Sequence, residues 1–449
     1  MAFHLNRVSS NSEPHKNRMS SRRVLLFLFM TVFAAASVRP QRRMSTDQRD
    51  LANAMLNDVA TDVRDYYYDP TFHGVDWSAK IRETTQKVRE STDFNMAMAH
   101  VAAMLDSLGD SHTYLVPPPR PYRIDFGYEL AMIGERCFVV QVQPGSDAES
   151  RGVKAGDQLL ALNGYVVDRD SLWRMDYTFR FVRPQPQLRL KLQRPNGQEY
   201  QETVAPRVKK LQGVVTAVGP DYEASVDKDF YAMRWTEFQA DLMILKFPIF
   251  YFDESEISHM VGRAQKHKTL VIDLRGNGGG SEDTMKNLVG YVMDHDVKVC
   301  DLVGRGNLKP LIAKSKGKHV FTGKLVVLLD SRSASASEVF ARVIQLEQRG
   351  VVLGDQSSGS VMRAKLHEYA TGTNLAYVPF AASITDSDLI MGDGLSLEHS
   401  GVIPDEIILP SPNDLAANRD PVIARGAELA GVKLTPEAAG GLFPYKWPK

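Results

Sequence analysis

The spacing of hydrophobic residues changes its period along this 449-residue chain. Between residues 45 and 118 apolar side chains recur at steps of three and four, as at Phe94, Met98, Val101 and Leu105. This is the period of one face of an amphipathic α-helix. The pattern therefore predicts a helical N-terminal segment over 45–118, with a buried apolar stripe.

Beyond the proline run Pro117–Pro119 the pattern changes to short apolar runs separated by turn signals. A β-rich unit over 119–206 is therefore predicted. From 207 to 412, buried strand-like runs such as Leu242–Leu245 alternate with helical stretches, which favours an α/β core. Residues 413–449 are expected to form a polar tail with one helix. The fold class is thus α+β or α/β and multidomain, and the length allows about three domains.

The first 43 residues have the features of a targeting segment. Arg22 and Arg23 precede the uncharged run Val24–Val38, which ends in small residues. A charged flank, a short apolar core and small residues near the cut are typical of a secretory signal peptide. The run is short for a membrane span. We therefore expect an exported protein, periplasmic or secreted. Residues 1–43 would be a signal peptide or anchor region, with membrane contact only if they stay uncleaved.

Charge and cysteine content exclude several other classes. Residues 1–43 contain eight Lys and Arg and one acidic residue, so 46 basic and 53 acidic residues remain after them. A mildly acidic protein lacks the concentrated basic face that binds nucleic acid, and no nucleic-acid partner is expected. Two cysteines, Cys137 and Cys300, cannot supply a disulfide framework. The sequence has neither His-Glu-x-x-His nor paired Cys-x-x-Cys, so no metal or other cofactor is expected.

Candidate chemistry begins in the serine-rich segment Ser331–Phe340, which follows the apolar run Leu325–Leu329. A strand that ends in a turn before a helix can hold one serine oxygen beside the free N–H groups of a helix N-terminus. Nucleophilic catalysis needs such a placement. A helix N-cap remains the alternative, because Ser335 and Glu338 also have the spacing of a capping box.

A glycine-rich turn, Asp273–Gly280, follows another predicted strand. A dinucleotide fingerprint starting at Gly276 would need glycine where Ser281 stands, and no Gly-x-x-x-x-Gly-Lys-Ser/Thr motif occurs. Glycines after a strand let backbone N–H groups turn toward a ligand. Donors to a developing oxyanion fit this pattern better than a phosphate site does.

The two motifs together identify a family resemblance. Asp273–Gly280, followed some 50 residues later by Ser333–Glu338, resembles the carboxyl-terminal processing, or tail-specific, serine peptidases. Members of that family carry a helical segment, a PDZ domain and a crotonase-like (ClpP-like) α/β protease core in this order. The resemblance implies that Ser335 is the nucleophile. It also implies an oxyanion hole formed by the backbone N–H groups of Ala336 and of Gly280 or Gly279.

The segment Gly152–Gly164 resembles a PDZ domain of the bacterial protease type, through its Gly-x-x-x-Gly-Asp-x-x-Leu spacing and the Asn-Gly that follows. This resemblance implies that the unit at 119–206 binds peptide ends by strand addition. The peptide-binding loop would contain Gly127, Tyr128, Glu129 and Leu130. A glutamate is unfavourable beside a bound carboxylate, so gating of the active site and simple packing remain alternatives.

The chain departs from the tail-specific pattern at the general base. Those peptidases place a lysine 25 positions after the nucleophile, where this chain has Ser360. A sister branch, typified by the tricorn core protease and the chlamydial secreted protease, takes a histidine from an Asp-x-His or Ser-His setting, which His112 matches. The branch also uses the glutamate of Glu-x-x-Gly-Val-x-Pro-Asp, which is Glu398. The resemblance implies that the hydroxyl of Ser111 relays the contact between them.

We therefore predict a serine-type peptidase, an endopeptidase that hydrolyses unfolded or tail-exposed polypeptides through an acyl-enzyme. Ser335 would attack, His112 would act as the base, and Glu398 would orient the imidazole. Helix-end capping remains the alternative role for His112. For Glu398 the alternative role is pairing with an arginine. A catalytically inactive protease-fold PDZ protein that binds peptides remains the alternative function, because the lysine is missing. A polypeptide is the expected partner, and the oligomeric state is unknown from sequence.

Overall fold

The computed structural model describes residues 44–210, 227, 229–373 and 376–448, and the side chains of 373 and 376 are left out of the description. The predicted signal peptide or anchor at 1–43 lies outside the described residues. None of the helices within the described ranges is long and apolar enough to cross a membrane.

The N-terminal unit is helical, as its period predicts. Met98, Val101 and Leu105 are fully buried, and Phe94 packs at the edge of the same cluster. Side chains at the helix starts accept the otherwise unpaired N–H groups, including Ser45, which forms a capping box with Gln48. The elements are α1 (Thr46–Tyr66), α2 (Trp77–Glu90), α3 (Phe94–Asp106) and the short strand β1 (Tyr114–Val116).

The second unit is mainly antiparallel sheet. Its strands are β2 (Tyr122–Asp125), β3 (Tyr128–Ile133), β4 (Arg136–Val142), β5 (Gln158–Leu162), β6 (Tyr165–Val166), β7 (Leu188–Gln193), β8 (Glu199–Val204) and β9 (Arg207–Lys210). Its helices are α4 (Asp147–Ser150) and α5 (Arg169–Asp176). The main sheet has the order β3-β4-β5-β7-β8, and β6 pairs with β5. This arrangement agrees with the predicted β-rich unit, and its assignment as a PDZ domain stays a prediction.

The third unit is the α/β core. Its strands are β10 (Arg234–Phe238), β11 (Leu242–Lys246), β12 (Thr269–Asp273), β13 (Val297–Gly304), β14 (Leu311–Ala313), β15 (Lys324–Leu329), β16 (Gly350–Gly354), β17 (Met362–Thr373), β18 (Ala376–Met391) and β19 (Glu406–Ile407). Its helices are α6 (Glu254–Ala264), α7 (Glu282–Val292) and α8 (Ala336–Leu346). One sheet has the order β10-β11-β12-β15-β16-β19, and every pairing from β11 onward is parallel.

The parallel strands are buried on both faces. Met243 and Ile272 belong to the cluster that includes residues of α6, α7 and α8, whereas Ile244 and Val271 belong to a second cluster. Since successive side chains of a strand point to opposite faces, helices must cover both sides of this sheet. The continuous apolar runs seen in the sequence follow from that double burial.

A second sheet joins the helical unit to the core. Its order is β1-β18-β13-β14, with β17 paired to β18. Tyr114 of β1 lies opposite Ser383 of β18 in the antiparallel ladder. The β-rich unit is joined to the core by a separate contact, in which Arg169 Nη2 lies 2.9 Å from Asp355 Oδ2. The loop between α3 and β1 is thereby placed against the core.

The C-terminal segment differs from its prediction. Instead of a polar tail with one helix, it forms α9 (Pro412–Ala416), α10 (Pro421–Leu429) and α11 (Pro436–Gly440). Val422, Ile423 and Ala427 are buried against the outer face of the parallel sheet. The expectation was wrong because these few apolar residues are close together on one short helix, and their burial depends on a sheet far away in sequence.

The buried C-terminal helix predicts a stability difference between two isoleucines. Ile423 is 2% exposed and Ile403 is 63% exposed. Ile423→Ala should lower the free energy of unfolding by about 2–5 kcal/mol, because it removes buried methyl groups and leaves a cavity. Ile403→Ala should change it by less than about 0.5 kcal/mol. Urea unfolding of both variants measures the difference, and equal midpoints would show that residues 421–429 do not support the sheet.

Candidate active site

The serine-rich segment is a turn between strand β15 and helix α8, as its sequence predicts. Ser335 occupies the N-cap position with φ 54° and ψ −116°. A non-glycine residue rarely adopts this backbone conformation, and it persists only where the surroundings enforce it. Asp330 Oδ1 supports the turn by accepting from Gly276 N at 2.8 Å and Arg332 N at 3.0 Å. The strained position lifts the Ser335 side chain toward the adjacent cleft.

Only one serine of this turn faces another candidate catalytic side chain. Ser331 Oγ donates to the Met132 carbonyl at 2.7 Å, and Ser333 Oγ donates to that of Leu274 at 2.9 Å. Ser337 Oγ donates to the Asn277 carbonyl at 2.9 Å. Ser335 Oγ, by contrast, lies 3.4 Å from His112 Nε2. The structure thus separates Ser335 from its three neighbours by hydrogen-bonding environment.

His112 lies in the loop between α3 and β1, and Asp110 shapes that loop. Asp110 Oδ1 accepts from His112 N at 2.9 Å and from Thr113 N at 2.8 Å. It also accepts from Thr385 Oγ1 of β18 at 2.6 Å. The loop is therefore hydrogen-bonded to the core sheet, and the imidazole extends from it into the cleft.

A hydroxyl and a carboxylate continue the chain of contacts beyond the imidazole. Ser111 Oγ lies 2.8 Å from His112 Nδ1 and 2.9 Å from Glu398 Oε2. The other oxygen, Glu398 Oε1, accepts from Ser111 N at 2.7 Å. The structure therefore brings all four predicted catalytic residues together in the order Ser335, His112, Ser111, Glu398.

The contacts do not favour the alternative roles, which are helix-end capping for His112 and pairing with an arginine for Glu398. The carbonyls at the end of α3 are met by other histidines, since His73 Nδ1 lies 2.7 Å from Leu108 O and His399 Nε2 lies 2.8 Å from Gly109 O. Glu398 has no arginine partner among the described residues, and its only ion-pair neighbour there is His399, at 3.9 Å. Neither residue therefore has the partner that its alternative role requires, and His112 lines the cleft.

Burial affects the protonation of both groups. It lowers the pKa of His112 to about 4, and the nearby negative charge of Asp110 opposes this effect only in part. Burial also raises the pKa of Glu398, against the stabilising hydrogen bonds from Val361 N and Ser111. The imidazole is therefore neutral at neutral pH, which is the form that can accept a proton.

The glycine turn lies against the nucleophile. The N–H of Gly279 donates to Asn277 Oδ1 at 2.9 Å, so it is already bonded. The N–H groups of Gly280 and Ala336 have no acceptor within the part of the chain that the structure describes. These two groups remain as donors for a ligand in the cleft, and Gly279 is the weaker of the two glycines proposed for an oxyanion hole.

Partly buried ion pairs support the glycine turn from its strand side. Arg275 Nη2 lies 3.0 Å from Asp273 Oδ2 and 2.7 Å from Asp420 Oδ2. Although burial acts in the opposite direction, Arg275 and Lys246 hold the pKa of Asp273 well below its usual range. Asp420 also accepts from the first N–H groups of α10. The C-terminal segment thus contacts the turn that carries the candidate oxyanion donors.

The position of the missing lysine is occupied by a hydroxyl network. Ser360 Oγ lies 2.9 Å from Ser358 Oγ, and the Ser360 carbonyl accepts from Ser335 N at 2.9 Å. Lys365, the next lysine along the strand, has its Nζ 3.3 Å from Asp386 Oδ2 and is exposed. The residue that faces Ser335 Oγ is therefore the histidine, and the nearby lysine is paired elsewhere.

The candidate residues Ser335, His112 and Ser111 line one large cleft of about 2260 Å³. Of the predicted peptide-binding segment, Glu129 also lines the cleft, and Tyr128 and Leu130 pair with β4 in the sheet. Gly127 N donates to Asp125 Oδ1 at 2.8 Å. Burial raises the pKa of Glu129, while the positive charges of Arg180 and Arg332 oppose the shift. Peptide binding by this segment stays a prediction.

Two important residues were missed by sequence reasoning. Asn277 holds the glycine turn with both ends of its amide, and Glu338 is a fully buried carboxylate beside the nucleophile. The spacing of Ser335 and Glu338 was visible in the sequence, but it indicated an ordinary helix cap.

No cluster of three or more metal-ligating side chains occurs among the described residues. Cys137 and Cys300 are both buried and unpaired.

Comparisons with known proteins find peptidases among the proteins that this chain resembles. The model of peptidase family S41 matches residues 241–408. Carboxyl-terminal-processing peptidase 3 of Arabidopsis thaliana is 24% identical over 76% of this chain and 66% of its own length, just under two thirds. The carboxyl-terminal-processing protease of a Picosynechococcus strain is 24% identical over 82% of this chain and 84% of its own. A putative tricorn protease homologue of Streptomyces coelicolor is 25% identical over 82% of this chain and 31% of its own.

Solved structures share the fold. Mature CPAF superposes with a TM-score of 0.61 at 14% identity, covering 82% of this chain and 94% of that chain. The photosystem II D1 C-terminal processing protease superposes with a TM-score of 0.51 at 20% identity, covering 89% of this chain and all of that chain. At these identities the likeness concerns the fold, and the multidomain α+β architecture is therefore shared.

The close approach of the glycine turn to Ser335 predicts opposite outcomes for two neighbouring glycines. A Cβ on Gly279, which has φ +102°, would lie 2.7 Å from Ser335 Cβ, whereas a Cβ on Gly278 would meet nothing within 4 Å. Gly279→Ala should therefore displace the nucleophile and lower its rate of labelling by a fluorophosphonate by about 10²-fold or more. Gly278→Ala is the matched control and should label nearly as fast as the parent. Equal rates for the two variants would contradict the geometry of the turn.

Proposed function

We propose, from the match of residues 241–408 to the model of peptidase family S41, that the protein hydrolyses unfolded or tail-exposed polypeptides as an endopeptidase, through an acyl-enzyme on Ser335. The observation that carries the proposal is the continuous contact from Ser335 Oγ through His112 and Ser111 to Glu398. A nucleophile, a base and a group that orients the base are the parts that acyl transfer requires.

The direction of the hydrogen bonds supports His112 as the base. An ionised Glu398 can only accept, so the Ser111 hydroxyl donates to it and must accept from His112 Nδ1–H. That tautomer leaves the lone pair of Nε2 pointing at Ser335 Oγ, 3.4 Å away. The contact is long for a hydrogen bond, as it often is in a site without substrate.

The proposed acylation is a two-step transfer. Ser335 Oγ forms a bond to the scissile carbonyl carbon while its proton passes to His112 Nε2. The carbonyl oxygen then carries the negative charge, which the N–H groups of Gly280 and Ala336 stabilise. Collapse breaks the C–N bond, and His112 gives the proton to the leaving amine. A water molecule, deprotonated by the same imidazole, then attacks the ester carbonyl carbon. The acyl C–Oγ bond breaks, and the imidazolium returns the proton to Ser335 Oγ.

The rate contributions expected from a general base and from oxyanion donors are consistent with this mechanism. General-base assistance typically contributes about 10²–10⁴-fold to the rate. One oxyanion donor contributes about 10²–10³-fold. Neither contribution requires an ammonium base, so a serine at position 360 is compatible with hydrolysis.

We propose export on the basis of the N-terminal run Val24–Val38 alone.

The proposed base predicts a labelling pattern. A fluorophosphonate should label Ser335 of the parent protein, and His112→Ala should lower the labelling rate by about 10²-fold or more because the hydroxyl loses its proton acceptor. Lys365→Ala should label like the parent, since that ammonium pairs with Asp386. Intact-mass measurement after timed labelling gives the rates. Normal labelling of the His112 variant would rule out the proposed base, and no labelling of the parent would favour an inactive peptide-binding protein.

The relay predicts a separable effect at Ser111. Ser111→Ala removes the hydroxyl between the imidazole and Glu398, so the productive tautomer is no longer favoured. The value of kcat for peptide hydrolysis should fall by about 10²–10⁴-fold, with KM changed little, because the lost hydroxyl acts on the imidazole and has no proposed role in binding substrate. Ser111→Thr keeps a hydroxyl and should recover part of the loss. If the alanine and threonine variants are equally impaired, the hydroxyl is not the relay.

A further inference from the structure

A second glutamate next to the nucleophile has no role in the mechanism described so far. Glu338 lies in the first turn of α8 and is fully buried, at 0% exposure. Its carboxylate has no cation as a hydrogen-bond or ion-pair partner among the described residues. Burial of a charge without a counter-ion is costly unless hydrogen bonds satisfy it, so this position needs an explanation.

Four donors converge on the Glu338 carboxylate. Oε1 accepts from Ser357 Oγ at 2.6 Å and from Gly359 N at 2.7 Å. Oε2 accepts from Ser335 N at 2.9 Å and from Ser360 N at 3.0 Å. Two carboxylate oxygens can accept about four hydrogen bonds, so the group is fully satisfied only when it is ionised. One of its bonds goes directly to the backbone of the nucleophile.

The loop that binds Glu338 also binds the other side of the active site. Val361 follows Ser360 and donates its N–H to Glu398 Oε2 at 2.8 Å. Hydrogen bonds therefore form a closed ring that runs from Ser335 through Glu338 and residues 357–361 to Glu398, and returns through Ser111 and His112. The two carboxylates lie at different points of that ring, and both bind the 357–361 loop.

We propose that Glu338 is a positioning residue for the peptidase reaction, which holds the strained Ser335 in register with His112 by binding the 357–361 loop. The inference rests on the proposed function of Ser335. A backbone conformation of this kind persists only when several contacts enforce it, and the hydrogen bond from Ser335 N to Glu338 Oε2 is one of them. Small displacements of a nucleophile reduce the rate strongly.

Ionisation of Glu338 connects this geometry to pH. Burial raises its pKa to about 7, although its four hydrogen bonds act in the opposite direction. Protonation places an O–H where a donor now points, so at least one of the four contacts is lost. Productive geometry is therefore present above pH 7 and decreases as the pH falls through that value. Protonation of His112, whose pKa is about 4, acts only at lower pH.

Other titratable groups around Glu338 have partners of their own. Asp355 pairs with Arg169, and Arg342 of the same helix pairs with Asp393. His399 meets the Gly109 carbonyl. Asp330 and Arg332, on the turn before α8, pair with each other at 2.9 Å. Asp110, His112 and Glu398 also lie on adjoining loops, and their contacts are given above. None of them donates a hydrogen bond to Glu338, so its own four donors define its environment.

The test compares pH profiles of kcat and KM for peptide hydrolysis in the parent, Glu338→Gln and Glu254→Gln. The parent should lose kcat below about pH 7. Glu338→Gln should lower kcat by about 10²-fold with KM nearly unchanged, and its acid limb should move to lower pH because the amide does not titrate. Glu254 is the control, since it is an exposed first-turn glutamate of α6 that pairs with Lys316. Its variant should keep the parent profile.

A second variant tests the same idea without removing the carboxylate. Ser357→Ala deletes one donor to ionised Glu338, which should raise its pKa and move the acid limb of activity to higher pH. This result is measurable even if Glu338→Gln does not fold. An acid limb that is unmoved in both folded variants, or unmoved in Ser357→Ala alone, would overturn the role of Glu338. Absence of hydrolysis and of fluorophosphonate labelling in the parent at every pH would instead overturn the proposed peptidase function.

Discussion

The active site depends first on how the loop between α3 and β1 is fixed to strand β18. Pairing of β1 with β18 sets the register, and Thr385 completes the attachment by donating to Asp110 Oδ1. Asp110 in turn binds the backbone of His112. Without these contacts the loop that carries His112 would be attached only to the helical unit, and the imidazole would not be held beside the core. With them, it lies 3.4 Å from Ser335, which is in the turn after β15 of the parallel sheet.

Two carboxylates, those of Glu398 and Glu338, hold the imidazole and the nucleophile in place. Glu398 acts on the imidazole through a hydroxyl, and Glu338 acts on the nucleophile through its backbone. Both raise the same physical difficulty, since a charge without a counter-ion is costly in the interior. In both cases backbone and hydroxyl donors replace the cation: three of the four donors to Glu338 and one of the three to Glu398 come from residues 357–361. The segment around Ser360 thus serves as a source of hydrogen bonds.

Sequence reasoning succeeded where the signal is local. The strand-turn-helix around Ser335 and the helical stripe at Met98 and Val101 follow from short-range spacing, and the structure agrees with both. His112 and Glu398 came from a family resemblance. Asn277 and Glu338 were not recognised as parts of the site, because the role of Asn277 depends on the Phe247 carbonyl, 30 residues away, and that of Glu338 on which way a first-turn side chain points. The C-terminal helices were missed for a similar reason, since their apolar residues matter only against a distant sheet.

The origin of the histidine in the N-terminal unit has a consequence during biosynthesis. The two ends of the hydrogen bond between His112 and Ser335 are 223 residues apart, and Glu398 follows later still. A ribosome therefore completes the helical unit long before the serine emerges. Even a folded core would remain inert until the earlier unit docks on β18. With His112 as the proposed base, the growing polypeptide is protected from its own hydrolysis until nearly all of it has been made.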